Sequence, residues 1–222
     1  MEDAANREVR SRGRRQFDAV HKWSATAAAA VALTFSIYNF FELNRSPVVD
    51  VTLPHILRIT QGKDVWFYIQ PTVSTRLNTQ AVEVIEDASL QLYPIGSISR
   101  SKRPTFFWNS NVEWTYDFKS DLLNYKFASD PAPLIVSQEK PQQPTIGFES
   151  DDWKFQPGRY EGLLQLHRFK NRTPLVKKFC LEITKEAIDA FRSGDPRDWY
   201  LFRNDVTSSS SHKKSGCYSF LP

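Results

Sequence analysis

The residues of this sequence that could do chemistry are four histidines, two cysteines and a scatter of carboxylates. His21, His55, His167 and His212 offer no two at metal-ligand spacing, and His167 reads as an exposed strand histidine. Glu149, Asp151 and Asp152 crowd one loop, but calcium takes six or more oxygens, usually on a glycine-bearing loop, so a solvated acidic loop is the expectation. Ser99 and Lys102 have the Ser-x-x-Lys spacing of an acyl-transfer pair. Its companion motifs are absent, and Ser210 and Lys213 repeat the spacing in a polar tail. No zinc-protease motif, nucleophile elbow, phosphate loop or dinucleotide fingerprint occurs, and eight glycines leave little material for one. No catalytic residue, cofactor-binding residue or metal ligand is assigned, and no cofactor is expected.

Cys180 and Cys217 carry a different chemistry. In the run Leu175–Thr184 the apolar side chains Phe179, Leu181 and Ile183 alternate with Lys178, Cys180 and Glu182. Cys180 therefore faces away from the core, and a disulfide to Cys217 is a candidate in an exported domain. A second candidate is the aromatic triplet Phe106-Phe107-Trp108. Strand alternation sends Phe107 opposite to Phe106 and Trp108, so either both faces are covered or one is a contact patch.

What sets the environment of these groups is the uncharged stretch from Trp23 to Phe41, bounded by Lys22 and Glu42. As a helix it covers roughly 28 Å, close to the hydrocarbon thickness of a bilayer. Phe35, Phe40, Phe41 and their aliphatic neighbours contribute about −2 to −3.5 kcal/mol toward insertion, which the polar residues partly offset. Trp23 and Tyr38 suit the interfaces. Six basic residues, Arg7, Arg10, Arg12, Arg14, Arg15 and Lys22, precede the stretch, and only Arg45 and Arg58 occupy the next twenty positions. The positive-inside rule keeps the N-terminus in the cytoplasm and exports the rest. A cleaved signal would place small residues after the apolar core. Here they come first and Tyr38, Phe40 and Phe41 last, the order of a retained signal anchor.

The organisation follows: 1–22 a mobile, cytoplasmic basic arm, 23–41 a transmembrane signal anchor, 42–47 a stalk, 48–193 an extracytoplasmic domain and 194–222 a flexible tail. Within 48–193 the period is that of strands. Trp66 and Tyr68 alternate with Val65, Phe67 and Ile69, as in a strand covered on both faces. Val112, Trp114, Tyr116 and Phe118 share one face, with a hairpin expected around Asn109-Ser110-Asn111. Thr184 caps a short C-terminal helix, Lys185–Ser193, that turns Ile188 and Phe191 to one side. Phe155-x-Pro157-Gly158-x-Tyr160 before an apolar strand resembles the start of the penultimate strand of immunoglobulin-like domains, and Gln61-Gly62-Lys63 before Val65 resembles an earlier strand start of that class. The resemblance implies an Ig-like antiparallel β-sandwich in a mostly β chain, with Pro157, Gly158 and Tyr160 as a structural corner whose tyrosine bonds back to the backbone. It implies no activity.

Net charge is +4, partly in the N-terminal arm, so the exported part is near balance and nucleic acid is not an expected partner. No small-molecule ligand is identified. The expectation is a single-pass extracytoplasmic binding or scaffold module at the cell membrane, not an enzyme, that engages a protein of the envelope. The alternatives are an exported enzyme or accessory subunit with a dispersed active site, and a soluble protein whose alanine-rich helix packs inside.

Overall fold

The computed structural model describes residues 2–76, 81–96, 104–119, 122–194, 198–205 and 216–221. Ser99, Lys102, Ser210, His212 and Lys213 lie outside the described residues. The chain divides into two compact units, one holding the N-terminal helix and the other formed by residues 47–77 and 82–222.

The first unit is built on α1 (Glu2–Leu43), a single uninterrupted helix. It is longer than the expected anchor at both ends. The arm 1–22 is helical from Glu2 rather than structureless, in keeping with its alanine, arginine, glutamate and glutamine content. Its portion Trp23–Leu43 is long and apolar enough to cross a membrane. Trp23, Phe35, Tyr38, Phe40 and Phe41 all stand exposed on it. The hydroxyl of Thr34 donates to the Ala30 carbonyl at 2.8 Å, which removes the main cost of a threonine in such a segment.

The second unit contains β1 (Val49–Thr52), β2 (Ile56–Gln61), β3 (Val65–Ile69), β4 (Thr72–Thr75), β5 (Glu83–Ile95), β6 (Thr105–Asp117), β7 (Leu122–Ser129), β8 (Leu134–Val136), β9 (Thr145–Ser150), β10 (Gly158–Arg168), β11 (Arg172–Ile183), α2 (Lys185–Ser193), β12 (Tyr200–Arg203) and β13 (Cys217–Leu221). The sheet runs β6-β9-β3-β2-β12-β13-β11-β10-β5 and returns to β6, so it closes into a barrel. Every pairing is antiparallel except β11 with β13. β7 extends from β6 and β8 from β5 outside the ring, and β1 pairs with β4 in a separate two-stranded ribbon.

The expected immunoglobulin-like sandwich is thereby corrected. A sandwich keeps two sheets with open edges, whereas here β2, β12 and β13 carry the sheet from β3 round to β11. The flexible tail expected over 194–222 is corrected with it at β12 and β13. Phe202 of β12 and Tyr218 of β13 are fully buried, and the Tyr218 hydroxyl donates to the Pro54 carbonyl. The hairpin expected at 109–111 is also absent: β6 runs straight through those residues as one strand.

The interior is filled by the inward positions of every wall strand, among them Leu57, Ile59, Phe67, Phe106, Phe148, Leu164, Leu181 and Phe202. α2 adds Ala187, Ile188 and Phe191 to the same core, and Thr184 caps it by accepting from the Ala187 N–H at 3.2 Å. Gly162 of β10 faces Phe179 of β11, and a Cβ at this glycine would come within 2.2 Å of that ring. Gly162→Ala must displace the ring from its edge contact with Tyr218, and we expect a loss of about 1–3 kcal/mol, read as a lowered urea midpoint at unchanged slope.

The ribbon is tied to the barrel by Asp50 of β1, which bonds Arg76 at 2.6 Å and Lys177 of β11 at 3.3 Å. Hydrogen bonds from Arg76 first and Lys177 second hold its carboxyl at about 2, below the ordinary 3.8. A depressed carboxyl pKa contributes stability that is complete above the unfolded value and is lost as pH falls through the folded one. The Asp50 carboxyl carbon should therefore titrate near pH 2 by NMR. Asp50→Asn should remove the part of the acid-unfolding curve between about pH 4 and 2.

Candidate functional site

Among the described residues of the barrel, aromatic side chains gather in one cluster inside it and another on its outer face. The switch between them is a bulge in β6. Trp108 pairs with Phe148 of β9 and Ser110 pairs with Gly147, so Asn109 is an extra residue on β6. A bulge of this kind inverts the facing of everything that follows. Phe106 and Trp108 point into the core, and beyond the bulge Ser110, Val112 and Trp114 point outward. The indole N–H of Trp108 donates to the Asn111 side chain at 3.2 Å, and Asn109 donates to Glu149 at 2.6 Å, which fixes the bulge on both sides.

The outward residues of β6 meet the outward residues of β2, β3 and β7. Tyr68 is the centre: its ring lies 5.6 Å from Trp114, 5.2 Å from Tyr125 and 6.2 Å from Trp66, the last stacked at 16°. Burial and a hydrogen bond with Tyr125 push the Tyr68 phenol far above its ordinary range. Trp199, just ahead of β12, lies 5.4 Å from Trp114. Arg58 of β2 is held here, its guanidinium carbon 4.3 Å from the Trp114 ring centre and 5.2 Å from that of Trp199. Gly147 packs closely against this cluster, since a Cβ there would lie 3.0 Å from the Ser110 hydroxyl and 3.5 Å from the Tyr68 ring.

Two concavities open on this face and share Tyr68. One, of about 300 Å³, is lined by Thr60, Trp66, Tyr68, Ser110, Val112, Tyr125 and Phe127. The other, of about 230 Å³, is lined by Arg58, Tyr68, Trp114, Gln70, Thr145 and the Pro54–Ile56 segment. Beyond them the β6–β7 hairpin leaves Tyr116, Phe118, Tyr125 and Phe127 exposed, Phe118 to 88% and Phe127 to 62%. Such a surface can bind an apolar or aromatic partner and hold a single anionic group at Arg58.

The residues singled out from sequence are distributed as follows. Phe106 and Trp108 are core residues, and only Phe107, 45% exposed, belongs to a surface. The Tyr160 hydroxyl donates to the Gln156 carbonyl at 2.8 Å and accepts from the Gln156 N–H at 3.1 Å, closing the corner at Pro157 and Gly158, with Gly158 at φ +154°. Burial raises the Tyr160 phenol. Asp64, Glu149 and Asp151 bring carboxylate oxygens within 4.8 Å of one another, and burial followed by repulsion from Asp151 and Asp64 raises the Glu149 carboxyl. His167 approaches the Ser89 hydroxyl at 3.3 Å, and His55 contacts Asn204 at 2.8 Å. Arg58, Tyr68, Tyr125, Phe127 and Trp199 were not marked as a site by the sequence. The signal was the second apolar face of Trp66 and Tyr68, which needed covering.

Cys180 and Cys217 lie opposite each other on β11 and β13, joined by a disulfide of 2.05 Å, and Arg159 of β10 donates to both sulfurs, at 3.1 Å to Cys180 and 2.8 Å to Cys217. No protein-family model, curated protein or solved structure matches this chain.

The disulfide spans 37 residues of sequence, for which the chain-entropy model gives about 4 kcal/mol. The double variant Cys180→Ser, Cys217→Ser should lose stability of that order in chemical denaturation, and reductant should reproduce the loss in the native protein.

Proposed function

We propose that this chain is a single-pass, membrane-anchored extracytoplasmic binding module, and that the outer aromatic face of the barrel is where a protein partner docks. The observation that carries the reading is the exposure of Tyr116, Phe118, Tyr125 and Phe127 together on one projecting hairpin. Apolar surface gathered in this way marks a contact site, whereas scattered exposed side chains do not. Tyrosine and tryptophan are the residue types that interfaces favour, because they add large area at small entropic cost.

Three further features support the location. Trp23–Leu43 suits a bilayer in length and composition. The excess of arginine before it orients the barrel outward. The Cys180–Cys217 bond fits an oxidising compartment.

The test uses the full chain in its native membrane. Alkaline extraction should leave it in the pellet, and protease added to intact cells should remove a C-terminal tag. A photo-crosslinker at Phe118 or Phe127 should give a discrete protein adduct, and one at exposed Lys178 should give none. Release at alkaline pH would end the anchor reading, and equal labelling from all three positions would end the docking reading.

A further inference from the structure

Arg58 differs in its surroundings from the other half-buried arginines of the barrel. Arg168 lies against Glu83, which also takes Arg172 at 3.2 Å, and Arg203 pairs with Asp205 at 2.8 Å. Beside Arg58 there is no carboxylate among the described residues. Its Nε, like that of Arg168, is buried without a hydrogen-bond partner, and its guanidinium carbon lies against the rings of Trp114 and Trp199. Burial pushes its pKa down from the ordinary value, with no acidic neighbour to oppose the shift.

A charge partly withdrawn from water and left without a counter-charge is costly, and cation–π contact recovers only part of that cost. No protein group takes a hydrogen bond from the Arg58 guanidinium among the described residues, which leaves its N–H groups for an outside acceptor, and a guanidinium fork matches a carboxylate in two-point geometry. The 230 Å³ concavity that Arg58 lines also presents the side chains of Gln70 and Thr145. Arg58 is the one arginine or lysine of a lining that also includes His55, whose ring is turned to Asn204 at 2.8 Å, so the permanent positive charge is single and matches a carboxylate.

We propose that Arg58, in contact with the rings of Trp114 and Trp199, is a carboxylate-binding site that takes an aspartate or glutamate side chain of a partner polypeptide lying on the aromatic face. The identity of the ligand as a polypeptide rests on the binding-module reading above, and the acidic side chain deepens it. The larger concavity beside Tyr125 and Phe127 then receives the apolar residues that flank the acid.

The test takes the full chain in lipid nanodiscs and follows the indole N–H signals of Trp114 and Trp199 by NMR. The probes are the acetylated, amidated tripeptides Val-Glu-Val and Val-Gln-Val. The Glu peptide should shift both indoles and bind about tenfold or more tightly than the Gln peptide, the usual consequence of a charge-assisted bond to a desolvated partner. Arg58→Gln should erase that preference, and Arg58→Lys should keep only a fraction of it, since an ammonium lacks the fork. Equal binding of the two peptides by the native protein would overturn the proposal, and this comparison needs no variant to fold. Inorganic phosphate shifting the same indoles more strongly than the Glu peptide would overturn the match to a single charge. Adducts from Phe127 that persist in the absence of any Glu preference would leave the docking surface standing and remove the acidic side chain from it.

Discussion

The ring of strands is closed by a short contact between its two longest members. Ser89, Leu90 and Gln91 of β5 face Phe107, Phe106 and Thr105 of β6, and the Leu92 N–H reaches the Pro104 carbonyl at 3.4 Å. Away from the connecting loop the two strands separate. β8 takes over the edge of β5 at residues 83–85, and β7 takes over the edge of β6 at residues 111–117. An unpaired backbone at that point would cost several hydrogen bonds, so the two short strands are a consequence of the splay. The splay also sets the outer face. It lets β6 run on past its last pairing with β9 at Val112, and the extra residue Asn109 turns Ser110, Val112 and Trp114 outward toward β2 and β3.

Much of the wall was legible as alternation. The β3, β10 and β11 patterns are strict, and the inward residues read from them, Phe67, Phe179, Leu181 and Ile183, are buried in the barrel. The cap and apolar side of α2 were equally readable, because a threonine before a four-residue spacing of Ile188 and Phe191 has few other uses. Three things were not. β2 alternates Leu57 and Ile59 with Arg58 and Thr60 over six residues, too short a run beside Pro54 to stand out. β12 and β13 are separated by the polar run 206–215, which makes the whole tail look solvated although Phe202, Cys217 and Tyr218 are core residues. Closure itself leaves no local mark, because sandwich and barrel strands carry the same alternation.

The candidate site was hidden for a related reason. In β6 the sequence Thr105–Asp117 reads as two strands around a polar turn, since Asn109-Ser110-Asn111 has turn composition. A bulge uses the same residue types. Only pairing with β9 distinguishes the two, and β9 lies more than thirty residues downstream. Had the hairpin formed, Val112, Trp114, Tyr116 and Phe118 would have faced one core. With the bulge instead, their burial falls steadily along the strand, from Val112 at 8% exposure through Tyr116 at 46% to Phe118 at 88%.

This gradient argues that the outer cluster is more than a second core. A face serving stability alone would be closed over, because exposed aromatic rings forgo the transfer energy that interior rings obtain, about 1.5–3 kcal/mol each. Here the inner part of the cluster is fixed by Tyr68, Gly147 and the bulge, while the outer part is left open on an edge strand. Rigid support beneath an unsatisfied surface is the arrangement a binding site requires, since the ordering entropy is already spent before the partner arrives. Arg58 departs from the local rules in the same place: a half-buried cation without an anion among the described residues, where Arg168 and Arg203 are paired. Sequences are consistent with their folds at most positions, and departures concentrate where function constrains them. The open aromatic edge and the unpaired guanidinium are two such departures, reached by different residues of different strands, and Trp114 touches both.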